Sequence, residues 1–191
     1  NGSRYGRCIN FNQTGYLKNT NFGITTNQFT MSFWFNAPSS TNSQHFLFGT
    51  HNSWTNNGFS GWRDANGENY LTLVKSSAEG SHTGISFPVE ANKWVHIAYV
   101  YTGTELVYYK NGVEQSRKTY GLGGTVSHPV MYLGNSQYSE VSSQIDEACM
   151  SDFRFYATAL SFSDIADLYE YAEFPVIPII ATSDPAHLRE F

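Results

Sequence analysis

Residues Phe29-Thr30-Met31-Ser32-Phe33-Trp34-Phe35 alternate with a period of two. Phe29, Met31, Phe33 and Phe35 fall on one face and Thr30, Ser32 and Trp34 on the other, which is the pattern of a β-strand. The run 94–101 is apolar on both faces, as a strand in the middle of a two-sheet sandwich would be. Glu105–Lys110 follows after the short turn Thr102-Gly103-Thr104, and Asn111-Gly112 then marks a type I′ hairpin, because both residues tolerate positive φ. Shorter strands are expected at Cys8–Phe11, His45–Gly49, Tyr70–Val74, Gly84–Phe87, Val130–Gly134 and Phe153–Tyr156. Helical spacing shows at Ser161–Tyr171. Ser161 stands three positions ahead of Asp164 in capping-box spacing, and Ile165, Leu168 and Tyr169 form an i, i+3, i+4 stripe. Many short strands separated by turns predict an all-β fold, a two-sheet antiparallel sandwich or jelly roll, with one short C-terminal helix.

After residue 173 the pattern changes. Phe174-Pro175-Val176-Ile177-Pro178-Ile179-Ile180 is apolar, but its prolines exclude both a helix and a central strand. The chain therefore divides into a sandwich domain over 1–173 and an extended tail over 174–191, a linker or a docking arm. The opening Asn1-Gly2-Ser3-Arg4 has no signal-peptide pattern and reads as the interior of a longer polypeptide or a processed start.

Composition narrows the class. In 191 residues, 11 Lys+Arg against 16 Asp+Glu give a net charge of −5, which argues against a nucleic-acid partner. Charged residues make up 14%, against about 25% in ordinary soluble domains, so Asn, Ser, Thr and Gly supply the polar surface. Aromatic residues reach 16%, enough to fill a large core. This composition suits an extracellular or virion-type protein. The apolar run Phe174–Ala181 is far short of the about 20 residues that a membrane-spanning helix needs. Cys8 and Cys149 are too few for a zinc knuckle. A disulfide between them is open in an oxidising compartment, while two buried thiols are the simpler expectation.

Three segments carry a family resemblance. Asn92-Lys93-Trp94-Val95-His96-Ile97-Ala98 resembles the W-h-H-h-A strand of laminin-G-like modules of the concanavalin A-like jelly-roll superfamily. Leu106-Val107-Tyr108-Tyr109-Lys110-Asn111-Gly112 resembles the hairpin that follows it. The run from Met150 through Asp152-Phe153-Arg154-Phe155-Tyr156 to Ala159-Leu160-Ser161 resembles the family's closing signature. Asn10–Leu17 is similar, more loosely, to its early strand pair. The resemblance covers about residues 5–171, and the closing wording is most similar to copies in bacteriophage tail and fibre proteins and bacterial surface proteins. The residues themselves read structurally. Trp94, Tyr99 and Tyr109 are expected as core aromatics between the sheets, His96 as a hydrogen-bonded core imidazole, and Arg154 beside Asp152 as a tie from strand to helix.

The superfamily includes glucanases, so acid pairs matter. Retaining glycosidases hold two carboxyl groups about 5–5.5 Å apart, which on a strand requires acids at alternating positions. No strand here has them, and neither G-x-S-x-G nor H-E-x-x-H occurs. The expectation is a non-catalytic module that binds glycan or another cell-surface ligand through flat aromatic faces flanked by amides and acids. The stretch His51–Asn69 is richest in such groups. The candidate ligand-binding residues are Trp54, Asn56, Trp62, Arg63, Asn135 and Tyr138. Asp64, Asn66 and Glu68 place oxygens at alternating positions that suit calcium, which the resemblance also implies, although an ordinary Asn-Gly turn explains them too. The partners expected are a glycan or host-surface ligand and other virion or surface-protein subunits, with a homo-oligomer among the assemblies. The expected location is a virion surface or the extracellular or cell surface. The second reading is a structural virion or fibre module that binds another subunit through its tail.

Overall fold

The computed structural model describes residues 8–12, 16–38, 45–50, 57–64, 66, 68–74, 82–135 and 146–170. The strands are β1 (Ile9–Asn12), β2 (Leu17–Asn19), β3 (Ile24–Thr26), β4 (Phe29–Asn36), β5 (His45–Gly49), β6 (Gly58–Arg63), β7 (Asn69–Val74), β8 (His82–Ser86), β9 (Val95–Tyr101), β10 (Glu105–Lys110), β11 (Val113–Thr119), β12 (Val126–His128), β13 (Met131–Leu133) and β14 (Asp146–Tyr156). One helix, α1 (Phe162–Glu170), follows them. They build two six-stranded sheets, ordered β1-β14-β4-β9-β10-β11 and β2-β13-β5-β6-β7-β8, with a two-stranded ribbon of β12 and β3. The strand pairings are antiparallel. The jelly-roll sandwich that the pattern allows and the resemblance implies is the fold observed.

The alternation in β4 decides how the layers meet. Phe29, Met31, Phe33 and Phe35 enter the inter-sheet core with Phe48, Phe59, Phe87, Tyr99 and Tyr108, each large side chain contributing about 1.5–3 kcal/mol by burial. The core is an aromatic lattice: Phe29 meets Phe59 at 5.1 Å and Phe33 meets Phe48 at 5.3 Å between ring centroids. Gly61 is part of it, because a Cβ there would lie 2.5 Å from the Phe48 ring. The other face of the first sheet is closed by α1. Ile165 packs with Ala98, Val100, Val107 and Tyr109. Ser161 caps the helix as its spacing predicts, accepting from the Asp164 N–H (3.2 Å) while the Asp164 carboxylate accepts from the Ser161 N–H (2.8 Å).

Three expectations are corrected. Tyr99 lies between the sheets, but Tyr109 is on the opposite face, under α1, and Trp94 is half-buried just ahead of β9. The Arg154 Nε donates to Asp152 at 2.8 Å, an ion pair within β14 beside its bulge between Ser151 and Arg154. The cysteines are not two buried thiols. Asn10 of β1 pairs with Cys149 of β14, so Cys8 falls within reach. A disulfide joins the two across 141 positions, with Cα atoms 5.6 Å apart. The hairpin at Asn111 (φ 50°) and Gly112 (φ 77°) has the two positive φ values that a type I′ turn requires. Among the described residues no helix is long and apolar enough to cross a membrane. The proposed tail 174–191 lies outside the described residues.

Candidate functional site

The candidate residues divide between the two ends of β6. Gly58 pairs with Val74, and Arg63 pairs with Asn69, so these pairs are separated by the length of the strand, about 17 Å. Trp54 and Asn56 lie outside the described residues, ahead of the Gly58 end. That end is fixed by Asn57, whose side-chain amide donates to the Thr125 carbonyl (3.1 Å) and whose own carbonyl meets the His128 Nε2 (2.5 Å). Burial holds the His128 imidazole below its ordinary pKa, while the Asn57 carbonyl pulls it back up.

Trp62, Arg63, Asp64, Asn66, Glu68 and Asn135 gather at the other end. Asn135 belongs there because Leu133 pairs with Phe48 and the Gly134 N–H donates to the Leu47 carbonyl (2.7 Å), so the chain runs on toward His45, which pairs with Arg63. Asn135 is fully buried. Tyr138, three residues on, lies outside the described residues.

Strand alternation turns Trp62 and Arg63 to opposite faces. Arg63 points inward and is 1% exposed. Its Nη2 donates to the Pro38 carbonyl at the end of β4, while Nε and Nη1 have no partner among the described residues. Burial pushes its pKa down, and Asp64 and Glu68 nearby pull it up. Arg63 is therefore a strut beneath the rim.

Trp62 is on the outer face. It pairs across the strands with Phe46 and Tyr70, and all three side chains are half-buried. Its ring stacks on Tyr70 with centroids 4.6 Å apart and planes 21° from parallel, and the indole N–H donates to the Thr72 hydroxyl at 2.9 Å. The centroid separation matches the about 4.8 Å spacing of adjacent strands, so the rings stand side by side across β6 and β7, face to face. A locked pair of this kind loses little side-chain entropy when a ligand settles on it.

The turn beside this pair is self-contained. The Asp64 N–H donates to the Glu68 carbonyl (2.9 Å), and Asp64 Oδ1 accepts from the N–H groups of Asn66 and Glu68 (2.9 Å each). The Asn66 amide donates to Asp64 Oδ2 at 3.4 Å. This is an Asx-type turn held by its own N–H groups, and a cation at Asp64 would compete with them for the same oxygens. Among the described residues no three His, Cys, Asp or Glu side chains gather as a metal site. The residues that periodicity missed are Tyr70 and Thr72. Both were placed in a strand, and only the cross-strand register shows them beside Trp62.

Two packed six-stranded antiparallel sheets, one backed by a helix and the other with an aromatic stripe on its outer face, define the lectin-type jelly-roll class. Residues 11–166 match the family model described as the concanavalin A-like lectin/glucanases superfamily, laminin-G type, and the chain belongs to that family. No curated protein matches it in sequence. Among solved structures it is similar to the botulinum neurotoxin serotype D binding domain (TM-score 0.68, 17% identity, 86% of this chain and 42% of that one). It is also similar to a heptameric SAP-like pentraxin from Limulus polyphemus (TM-score 0.63, 19% identity, 85% and 81%). A third similar structure is the binding domain of botulinum neurotoxin DC in complex with rat synaptotagmin II (TM-score 0.59, 19% identity, 76% and 36%). At these identities the likeness is one of fold. The chain spans less than half the length of the toxin domains.

Proposed function

We propose that the chain is a non-catalytic binding module that recognises a glycan or another surface ligand on the outer face of β5, β6 and β7, next to the turn 64–68. The observation that carries this reading is the Trp62–Tyr70 stack, fixed by the Thr72 hydrogen bond and half open to solvent. Aromatic rings held in place beside amide and carboxylate groups suit the C–H faces and hydroxyls of sugars. The names of the similar structures support it: a neurotoxin binding domain, and one in complex with synaptotagmin II. A non-catalytic role is supported by the sequence, in which no strand carries acids at alternating positions. The proposed setting is a larger virion or surface protein, and the Cys8–Cys149 disulfide suits an oxidising exterior.

The test is a glycan-array screen of the full chain, repeated with Trp62→Ala and Tyr70→Ala and with calcium or a chelator. Specific binding that both variants lose while circular dichroism keeps the sheet signal supports the reading. Binding that a chelator abolishes would add calcium at Asp64, Asn66 and Glu68. Binding untouched by either variant would remove the site from this face.

A further inference from the structure

Resting on that reading, the charge and shape around Tyr70 define which ligands the site accepts. One face of Tyr70 is covered by Trp62. On its other side runs the edge strand β8, where Ser86 pairs with Tyr70 and Gly84 pairs with Thr72. Among the described residues these two small residues, Ser86 exposed, leave the second face of the phenol open above them, and no ring stacks on it. Glu68 is exposed two positions ahead of Tyr70, and Asp64 is half-buried across the turn. Both carboxylates act on the Tyr70 hydroxyl, adding to burial in raising its pKa. Arg63, next to Asp64 in sequence, is turned under the sheet onto the Pro38 carbonyl.

Of the other described cations near this sheet, Lys18 is remote and Lys118 stands at the end of this face away from Glu68. Lys18 sits over the Tyr132 ring, 5.1 Å from its centroid, and Tyr132 is on β13, two strands from β6. Lys118 donates to the Gly84 carbonyl at 3.4 Å, about 7 Å along β8 from Ser86. The end of this ring face next to the turn 64–68 is therefore bordered by negative charge, and Lys118 stands at the other end.

We propose that Tyr70 stacks a neutral, hydroxyl-rich sugar ring above Ser86, and that Glu68 is a specificity-determining residue that excludes acidic glycans. A neutral sugar gains C–H contact with the phenol and offers hydroxyl donors to Glu68. A carboxylate or sulfate at the Glu68 end of the same ring meets like charge, with Lys118 held at the opposite end, a penalty of about fivefold in affinity per charge at low salt. The difference shrinks as ionic strength rises.

The experiment compares neutral oligosaccharides with counterparts carrying one sialic acid or one sulfate, on the full chain and on Glu68→Gln and Glu68→Lys. Glu68 contributes its backbone N–H and carbonyl to the turn, so both variants keep those bonds. The native chain is expected to bind the neutral member at least about fivefold more tightly. Glu68→Gln should narrow the gap, and Glu68→Lys should reverse it. Tighter binding of the acidic member, or a preference unchanged in both variants, overturns the assignment to Glu68 and leaves the binding reading intact. Absence of binding to any array member by the folded chain overturns both.

Discussion

His96 lies on β9 at 2% exposure, with Trp34 at 5.3 Å and Tyr169 of α1 at 6.0 Å between ring centroids. Its Nδ1 has no hydrogen-bond partner among the described residues, so it is a buried imidazole without the hydrogen bond expected from its strand position. Burial lowers its pKa from 6.5 to about 4, while Asp152 pulls it up and Arg154 pulls it down. Those two side chains pair with each other at 2.8 Å, so their effects oppose and burial wins. The flanking rings would favour an imidazolium by cation–π contact, but that contact is smaller than the burial penalty.

The sign follows from linkage. Between about 4 and 6.5 the unfolded chain holds a proton on His96 that the folded chain does not. Stability is therefore complete above pH 6.5, falls as the pH drops from 6.5 to about 4, and changes no further below that. At about 1.4 kcal/mol for each tenfold, the whole step is about 3 kcal/mol, of which about 2 kcal/mol is already lost at pH 5. The assay is urea unfolding at pH 8, 6, 5 and 4 for the native chain and for His96→Gln. Subtracting the two removes His128, which titrates in both. The variant is expected to be less stable at pH 8 and to show an acid slope shallower by about 2 kcal/mol at pH 5. Parallel slopes, or an NMR titration that places His96 near 6.5, would refute the reasoning.

Gly61→Ala places a methyl group where the Phe48 ring lies and should lower unfolding free energy by about 1–3 kcal/mol through overpacking, measured by denaturant titration. Closing a loop of 141 positions gives the Cys8–Cys149 disulfide about 5 kcal/mol in the chain-entropy model. Reductant and Cys149→Ser should therefore lower the melting temperature alike, and two reactive thiols in the untreated folded chain would contradict the pairing. Ile165→Ala removes the buried contact of α1 with the sheet and should cost about 2–5 kcal/mol. The sandwich strands should outlast the helix in hydrogen exchange.

β4, β5, β9 and β10 were legible from alternation or from dense apolar runs, and α1 from its cap and stripe. β11 was not, because all seven of its residues are exposed and Val113 alone among them is apolar, so nothing marks a period. Alternation also names two faces without saying what covers them. Thr30, Ser32 and Trp34 looked outward from the sandwich, yet Thr30 and Ser32 are fully or almost fully buried. The Thr30 hydroxyl donates to the Thr158 carbonyl and accepts from the Leu160 N–H ahead of α1. The same ambiguity put Tyr109 between the sheets when it belongs under the helix.

β6 is the element whose misreading changes the function most. Gly58-Phe59-Ser60-Gly61-Trp62-Arg63 contains two glycines and an arginine, so its pattern marks no strand, and Trp62 fits a loop platform or a strand residue packed inward equally well. Its strand character comes from its neighbours. Gly61 exists to admit the Phe48 ring, and the inward Arg63 is accommodated by the Pro38 carbonyl. Taken as a loop, His51–Asn69 forms one cluster of sugar-binding side chains. With β6 extended through it, Trp62 and the turn 64–68 are separated from the Asn57–Gly58 end by about 17 Å, more than the span of two hexose rings. A mono- or disaccharide therefore engages one end at a time. A loss of binding in Trp62→Ala or Tyr70→Ala would locate the ligand on the stacked rings at the turn. A loss in Trp54→Ala with those two variants unaffected would locate it at the end that Asn57, Thr125 and His128 secure.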